Sequence, residues 1–578
     1  MTEQISPSRI AIIELDSHAV GGELLSAGLA RLGWDVVQIP PHTEMDEIER
    51  ILNSTPPIRA VLVSLHTGIH SDNLKSLLRL RENPSMPVVP WYIRGEFSVL
   101  QRIWLRTKFR RVAVHSMSVG TVAHMLTPAI EGGNSPAHLG KVLRQPQMIS
   151  IVEGRDVCRT DVPGVTASRS GKASPQQAEQ LTVTVPQIAL PAFSYPKLSR
   201  YEHYLEHAGV NTIGVASNIL HLAGIGQQYR GIDRHPERIV KEALKHGISS
   251  IEGGPVSHTL SCWSDMPVNV AIDRWQQADR ILALSGHHER ELCGTLTGSL
   301  IPPSLAIAIG TLEALLAARQ GIRSFVFSYA EQGNRAQDIA AVQAARTVLQ
   351  NVLAKSGYND ATVRIAFAQY PGALPVRTHV ARSLLDESIR TALEAGADRI
   401  ILRAPEEGHR TPSPRHYLHA ARRAADIIAT HTSTDRHIQK SLPEAASIVK
   451  EAEAIISAVM AQDPDLVRAI IRSCNSGLLD VPFAPSSFAQ RQVRTARDAT
   501  GAVKFWDAGN VAIPQRSRQE HREAILHRMH ENPDKGESID ACIEHDVNAL
   551  KWEKHALCWP RDSRVRLGHD SSMKLPHN

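Results

Sequence analysis

The residues 16–22 read "DSHAVGG" and follow directly on the apolar run "IAIIEL". A neutral imidazole is a common transition-metal ligand, and its second ring nitrogen needs a fixed partner. Asp16, two residues before His18, can hold that N–H, which sets the tautomer and raises the basicity of the ligand. Gly21 and Gly22 carry no Cβ, so a bulky group can approach the backbone closely. The plainer alternative is a strand-to-helix turn in which Asp16 or Ser17 caps the helix and His18 faces solvent. Further along, "SSIEGG" (249–254) ends an apolar run in Glu252, for which capping the next helix is a simple role.

Two rhythms of elements position these residues. Over 9–130, "RIAIIEL", "WDVVQI" and "IRAVLVSL" read as buried strands, with "GGELLSAGLARLG" and "EMDEIERILN" as helices between them. That βαβ order predicts a Rossmann-like, flavodoxin-type doubly wound sheet over 1–130, with ligands beyond the carboxyl ends of its strands. Residues 131–195 are rich in Gly, Ser, Pro and polar side chains and read as a linker. From 196 to 514 short apolar strands recur: "NTIGVAS", "SSIEGG", "RILALSG", "SFVFSYAEQGN", "TVRIAFAQYPG" and "RIILRAPEEG". Helical segments such as "LAIAIGTLEALLAARQ" separate them, and each strand ends in polar residues, Gly or Pro. Six or seven such repeats predict a (β/α)₈ TIM barrel, whose site is assembled at the C-terminal ends of its strands. Residues 515–578 read as a helical extension that loses pattern in a tail.

At 578 residues the chain exceeds one ordinary core, as the two rhythms require. With 42% hydrophobic and 21% charged residues, its composition is that of a soluble globular protein. The net charge of +5 is small for the length, and no basic stripe is interleaved with aromatics, so nucleic acid is not an expected partner. No apolar run is long enough to span a bilayer, and no signal-peptide pattern opens the chain. The six cysteines are scattered without a CxxC pair, which favours a reducing cytoplasm over a zinc knuckle or disulfide framework.

Asp16, His18 and Gly21 resemble the DxHxxG signature of cobalamin-binding domains, and "DSHAVG" is close to the small subunit of glutamate mutase. Ser64 in "VSLHTG" matches the serine placed beside the cofactor's nucleotide tail. His66 replaces a leucine of that pattern, and the later Gly-Gly turn survives only around Gly95. Independently, "GTLTGSLIPPS" (294–304), "YAEQGNRAQDIAA" (329–341), "GYND" (357–360), "LLDVPFAPS" (478–486) and "AGNV" (508–511) resemble the large, TIM-barrel subunit in order and spacing. The chain therefore resembles a fusion of both subunits, small one first.

The resemblance implies an isomerase that uses adenosylcobalamin to interconvert L-glutamate and 3-methylaspartate by hydrogen abstraction, skeletal rearrangement and hydrogen return. It implies that His18 is the cobalt ligand, that Asp16 orients it, and that Gly21 and Ser64 line the cofactor. It gives Glu252 the substrate amino group and a part in proton transfer, and Arg230 a substrate carboxylate. Arg403, where the family has a lysine, and Glu407 fall at the cofactor–substrate boundary. His258 and Cys262 stand where the family has two pocket tyrosines, and the remaining carboxylate-gripping arginines have no clear counterpart. That departure keeps open a mutase for a less acidic amino acid, and a cobalamin-binding protein without catalysis. A homodimer is the expected assembly, with a small amino acid as ligand.

Overall fold

The computed structural model describes residues 9–113 apart from loops that include 16–24, 65–76 and 95–108, then 187–193, 210–215 and, with short gaps, 226–547. Five short strands form the first sheet: β1 (Arg9–Glu14), β2 (Asp35–Ile39), β3 (Ala60–Ser64), β4 (Trp91–Arg94) and β5 (Arg111–Ala113). Helix α1 (Met45–Leu52) follows β2. The order is β2-β1-β3-β4-β5 and every pairing is parallel. This is one of the two common doubly wound orders, with its switch point between β1 and β3. Alternation along β1 explains the burial of both faces. Ile10 and Ile12 join one cluster with Leu25, Leu62 and Tyr92, while Ala11 and Ile13 join another with Ile48, Val63 and Trp91.

Eight more strands close into a barrel: β6 (Gln187–Phe193), β7 (Val210–Val215), β8 (Gly226–Tyr229), β9 (Ser250–Glu252), β10 (Glu289–Cys293), β11 (Ser324–Ala330), β12 (Thr362–Ala368) and β13 (Arg399–Ile401). Neighbours in sequence pair in parallel all the way round, and β13 returns to β6 with Arg399 opposite Gln187. The helices between them are α2 (Pro236–Lys245), α3 (Pro255–Cys262), α4 (Val268–Ala283), α5 (Pro303–Ala318), α6 (Arg335–Lys355) and α7 (Thr378–Ala395). After β13 come α8 (Pro414–Thr430), α9 (Asp435–Met460) and α10 (Leu466–Ser476).

The main core lies between strands and helices. All sixteen residues of α5 are buried, and Phe325, Phe327, Tyr329, Ile365, Phe367 and Ile400 face the same cluster. A helix apolar all round is one enclosed on every side. A β-ribbon of β14 (Arg494–Arg497) and β15 (Val503–Asp507) then packs with α11 (Gln515–Glu531) and α12 (Ile539–Val547). Ala496, Val503, Ile525 and Ile543 surround Leu300, which precedes α5. Thr495 Oγ1 donates to Leu300 O at 2.7 Å, and Asn334 Nδ2 donates to Thr500 O at 3.0 Å. The ribbon thus braces the connections that follow β10 and β11.

Two sequence expectations change. The barrel's first strand, β6, lies inside the stretch read as linker, because its apolar run is short and broken by Pro191. "RILALSG" is not a strand: its first residues complete α4, whose apolar stripe runs through Leu282. The strand of that repeat is β10, "ERELC", disguised by its charges. Residues 131–186 and the tail 548–578 lie outside the described residues.

Candidate active site at the barrel mouth

Strand alternation decides which side chains enter the barrel. Glu289 and Glu291 of β10 bond across the interior to Arg399 of β13, and Glu291 also accepts from Gln228 of β8. Ser250 of β9 joins them, donating from Oγ to Glu289 Oε1 at 2.7 Å. The intervening residues Ile251, Leu292 and Ile400 belong to the outer core. By the period of two, Arg230, Glu252 and Arg403 share the inward face of their strands. They stand one residue past β8, at the last residue of β9 and two residues past β13. Three residues expected from sequence therefore stand at the C-terminal rim, where (β/α)₈ barrels build their sites.

Arg403 is held rigidly. Its Nε donates to Glu407 Oε2 at 2.7 Å, and its Nη1 donates to the carbonyls of Tyr370 and Gly372. Gly372 is required here, since a Cβ would lie 2.5 Å from the Tyr370 ring. Glu407 Oε1 accepts from Ala404 N at 2.9 Å and from the Tyr417 hydroxyl at 3.0 Å, so the pair is one unit. Tyr370 N in turn donates to Glu331, whose carboxyl is raised by burial and by neighbouring Asp338. Asp338 accepts from the Tyr329 hydroxyl at 2.8 Å and from the amides of Gln332 and Gly333.

Below Glu252, its loop is anchored from behind. The N–H groups of Val256 and Ser257 at the start of α3 both donate to Glu313 Oε1, at 2.9 and 2.8 Å. Burial pushes the Glu313 carboxyl up to about 7, although those amides favour its charged form. Gly254 has to lack a side chain, because a Cβ there would meet Glu313 at 2.2 Å. His258 follows on α3 with 2% exposure, its ring edge-on to Trp263 and Trp275 at 6.0 and 6.3 Å. Cys262 closes the same helix. These two lie on the helix after β9 and not on the rim itself.

In the first sheet, Asp16, His18 and Gly21 fall outside the described residues. Ser64 is described: it ends β3 at the switch point, opposite Glu14, and is fully buried. Its Oγ meets no hydrogen-bond partner among the described residues. A buried hydroxyl left open at the carboxyl edge of a doubly wound sheet suits a polar ligand group. Among the described residues, no three His, Cys, Asp or Glu side chains cluster as metal ligands, and no helix is long and apolar enough to cross a membrane.

Residues that sequence reasoning missed are Gln228, Glu289, Glu291, Arg399 and Glu313. For β10 a signal existed: in "ERELC" the charges of Glu289 and Glu291 recur at the strand period.

Residues 218–551 match the methylaspartate mutase E chain. Among curated relatives, the glutamate mutase epsilon subunit of Treponema denticola is 32% identical over 287 residues, covering 47% of this chain and 58% of that protein. The epsilon subunit of Haloarcula marismortui is 31% identical over 312 residues, covering 53% and 63%. That of Desulfitobacterium hafniense is 30% identical over 297 residues, covering 49% and 60%. The chain thus spans 58–63% of the length of these relatives. With more than half of its length matched, and with six of the eight barrel strands inside that span, the chain belongs to the methylaspartate mutase E chain family.

Proposed function

We propose that this protein is an adenosylcobalamin-dependent carbon-skeleton mutase that interconverts L-glutamate and 3-methylaspartate, a barrel subunit and a cobalamin-binding sheet joined in one chain. The observation that carries the reading is the rim itself: Arg230, Glu252 and the Arg403–Glu407 pair on the inward face of a barrel belonging to this family. Arg230 pairs with a substrate carboxylate, and Glu252 takes the amino group and moves a proton there. Arg403 and Glu407 form a rigid, charge-neutral edge between substrate and cofactor, while His258 and Cys262 shape the pocket behind Glu252. His18 would hold the cobalt, Asp16 would orient that imidazole, Gly21 would leave room for the cofactor, and the Ser64 hydroxyl at the end of β3 would receive its nucleotide tail. The cofactor, when bound, supplies homolysis of its cobalt–carbon bond. The chain's own residues bind, orient and exclude water, which a closed barrel with a braced rim does well. Joining both parts makes docking of the sheet on the barrel intramolecular, so assembly depends little on protein concentration. A cytoplasmic homodimer is the setting this reading takes.

A less acidic amino-acid substrate is the second reading, and one observation favours it. Among the described rim residues, the two guanidiniums expected to meet substrate, Arg230 and Arg403, are each already paired with a carboxylate, Glu291 and Glu407. Anaerobic NMR of the purified chain with adenosylcobalamin and L-glutamate tests both. A methyl doublet from 3-methylaspartate is the expected result. Bound cofactor without product, followed by turnover of a neutral amino acid, moves the assignment to the second reading.

A further inference from the structure

The interior layers of (β/α)₈ barrels are normally filled by branched apolar side chains. Here the inward positions of five strands carry Gln228, Ser250, Glu289, Glu291, Arg364 and Arg399. Buried ions are costly unless each is paired and hydrogen-bonded, and apolar residues would fill the same space at least as stably. The arrangement therefore calls for a reason beyond stability. From the floor upward, Arg364 pairs with Glu289, and Glu289 accepts from Arg399 Nη1 at 3.0 Å. Arg399 Nη1 also reaches Glu291 Oε2 at 3.1 Å, and Glu291 Oε1 holds Arg230 Nη2 at 2.6 Å. Signs alternate along this string from strand bases to rim. Glu291 has no exposed side-chain surface, and Gln228 Nε2 adds a third donor at 3.0 Å, so its carboxylate plane is fixed. Arg230 is thus clamped at one nitrogen, while its Nε is buried and meets no acceptor among the described residues.

We propose that Glu291 is a positioning residue: backed by Arg399 and Glu289, it aims the Arg230 guanidinium at the carboxylate of an amino-acid ligand in the barrel mouth. The ligand half of this inference rests on the mutase reading; the ion string does not. The physical gain is pre-organisation. A free arginine loses much rotamer freedom when it closes on a carboxylate, whereas one already fixed loses it during folding.

The test uses the full chain and four proteins: wild type, Glu291→Gln, Arg230→Gln and the double variant. Each is titrated calorimetrically with L-glutamate and unfolded in denaturant. Each single variant is expected to weaken L-glutamate binding at least tenfold, and the double variant to bind within twofold of Arg230→Gln alone. A purely packing role would instead multiply the two losses. Binding by Glu291→Gln within twofold of wild type, or multiplied losses in the double variant, overturns the proposal. Should wild type not bind L-glutamate, the mutase reading is what fails, and the unfolding cycle decides the string. There, coupling of fivefold or more in the unfolding constant upholds the clamp, and additivity overturns it. Arg399→Lys covers a Glu291→Gln variant that does not fold. It retains one charge beneath Glu291, so severalfold weaker L-glutamate binding at little-changed stability is expected, and unchanged binding counts against the string.

Discussion

The two sides of the barrel wall follow opposite rules. Outward, Phe325, Phe327, Ile365, Phe367 and Ile400 meet the fully buried α5 and its neighbours in a mainly apolar layer, into which the Arg290–Asp279 pair and Glu313 are set. Inward, the apolar content described is a small patch of Val326, Ala366 and Ile401 with Ala368, set beside the ion string. The same backbone supports both because successive side chains point to opposite faces. Stability is therefore concentrated outside the wall, and the inside is released for charge. Such a division lets a barrel keep its fold while its interior is rebuilt for a new ligand.

The largest effect expected from this contrast is on the outer side. Phe327 is fully buried, and Phe327→Ala should cost about 3–5 kcal/mol. Denaturant unfolding reads this directly, and a loss below about 1 kcal/mol would break the contrast. Glu313 tests the boundary, as a carboxyl within the outer layer that serves the rim. Its carboxyl lies at about 7 in the fold against 4.5 ordinarily. A raised acid favours the folded state fully below the unfolded value, and that contribution is lost as pH rises through the folded one. Between pH 4.5 and 7 the wild type should lose roughly 3 kcal/mol that Glu313→Gln retains. Since both backbone amides bond to Oε1 alone, the glutamine keeps them. Parallel pH–stability curves for the two proteins would show that Glu313 is charged throughout. The smallest effect belongs to the inner patch. Val326→Ala removes two methyl groups beside polar neighbours and should cost about 1–2 kcal/mol. A cost equal to that of Phe327→Ala would erase the distinction.

The same contrast explains what could be read from the sequence. Strands β11 and β12 stood out because several of their inward residues, such as Val326, Ser328, Ala366 and Ala368, are small or apolar, so the runs look buried on both faces. By contrast β8 ("GQQY") and β10 ("ERELC") carry polar residues inward, and β10 also holds Arg290 outward against Asp279, so both pass for loops. Hydrophobic periodicity reports the outer layer and is blind to a charged interior. The rim residues Arg230, Glu252, Arg403 and Glu407 were legible through resemblance, since each follows a short motif. Glu291, Arg399 and Glu313 act through partners distant in the chain, and no local spacing announces such contacts. Ser64 ends β3, within the run "IRAVLVSL" predicted as a strand, while Asp16 and His18 lie outside the described residues.

Barrel closure has a consequence for biosynthesis. The strand that opens the barrel, β6, meets its second neighbour only when β13 has emerged, since Gln187 lies opposite Arg399. Until the intervening helices and strands have been translated, one edge of β6 stays unpaired, a template for the wrong partner. Contacts this distant in sequence are slow to form. The growing chain thus passes through a long window in which it is open to aggregation, and the pace of the ribosome and the help of chaperones bear on how much of it reaches the closed form.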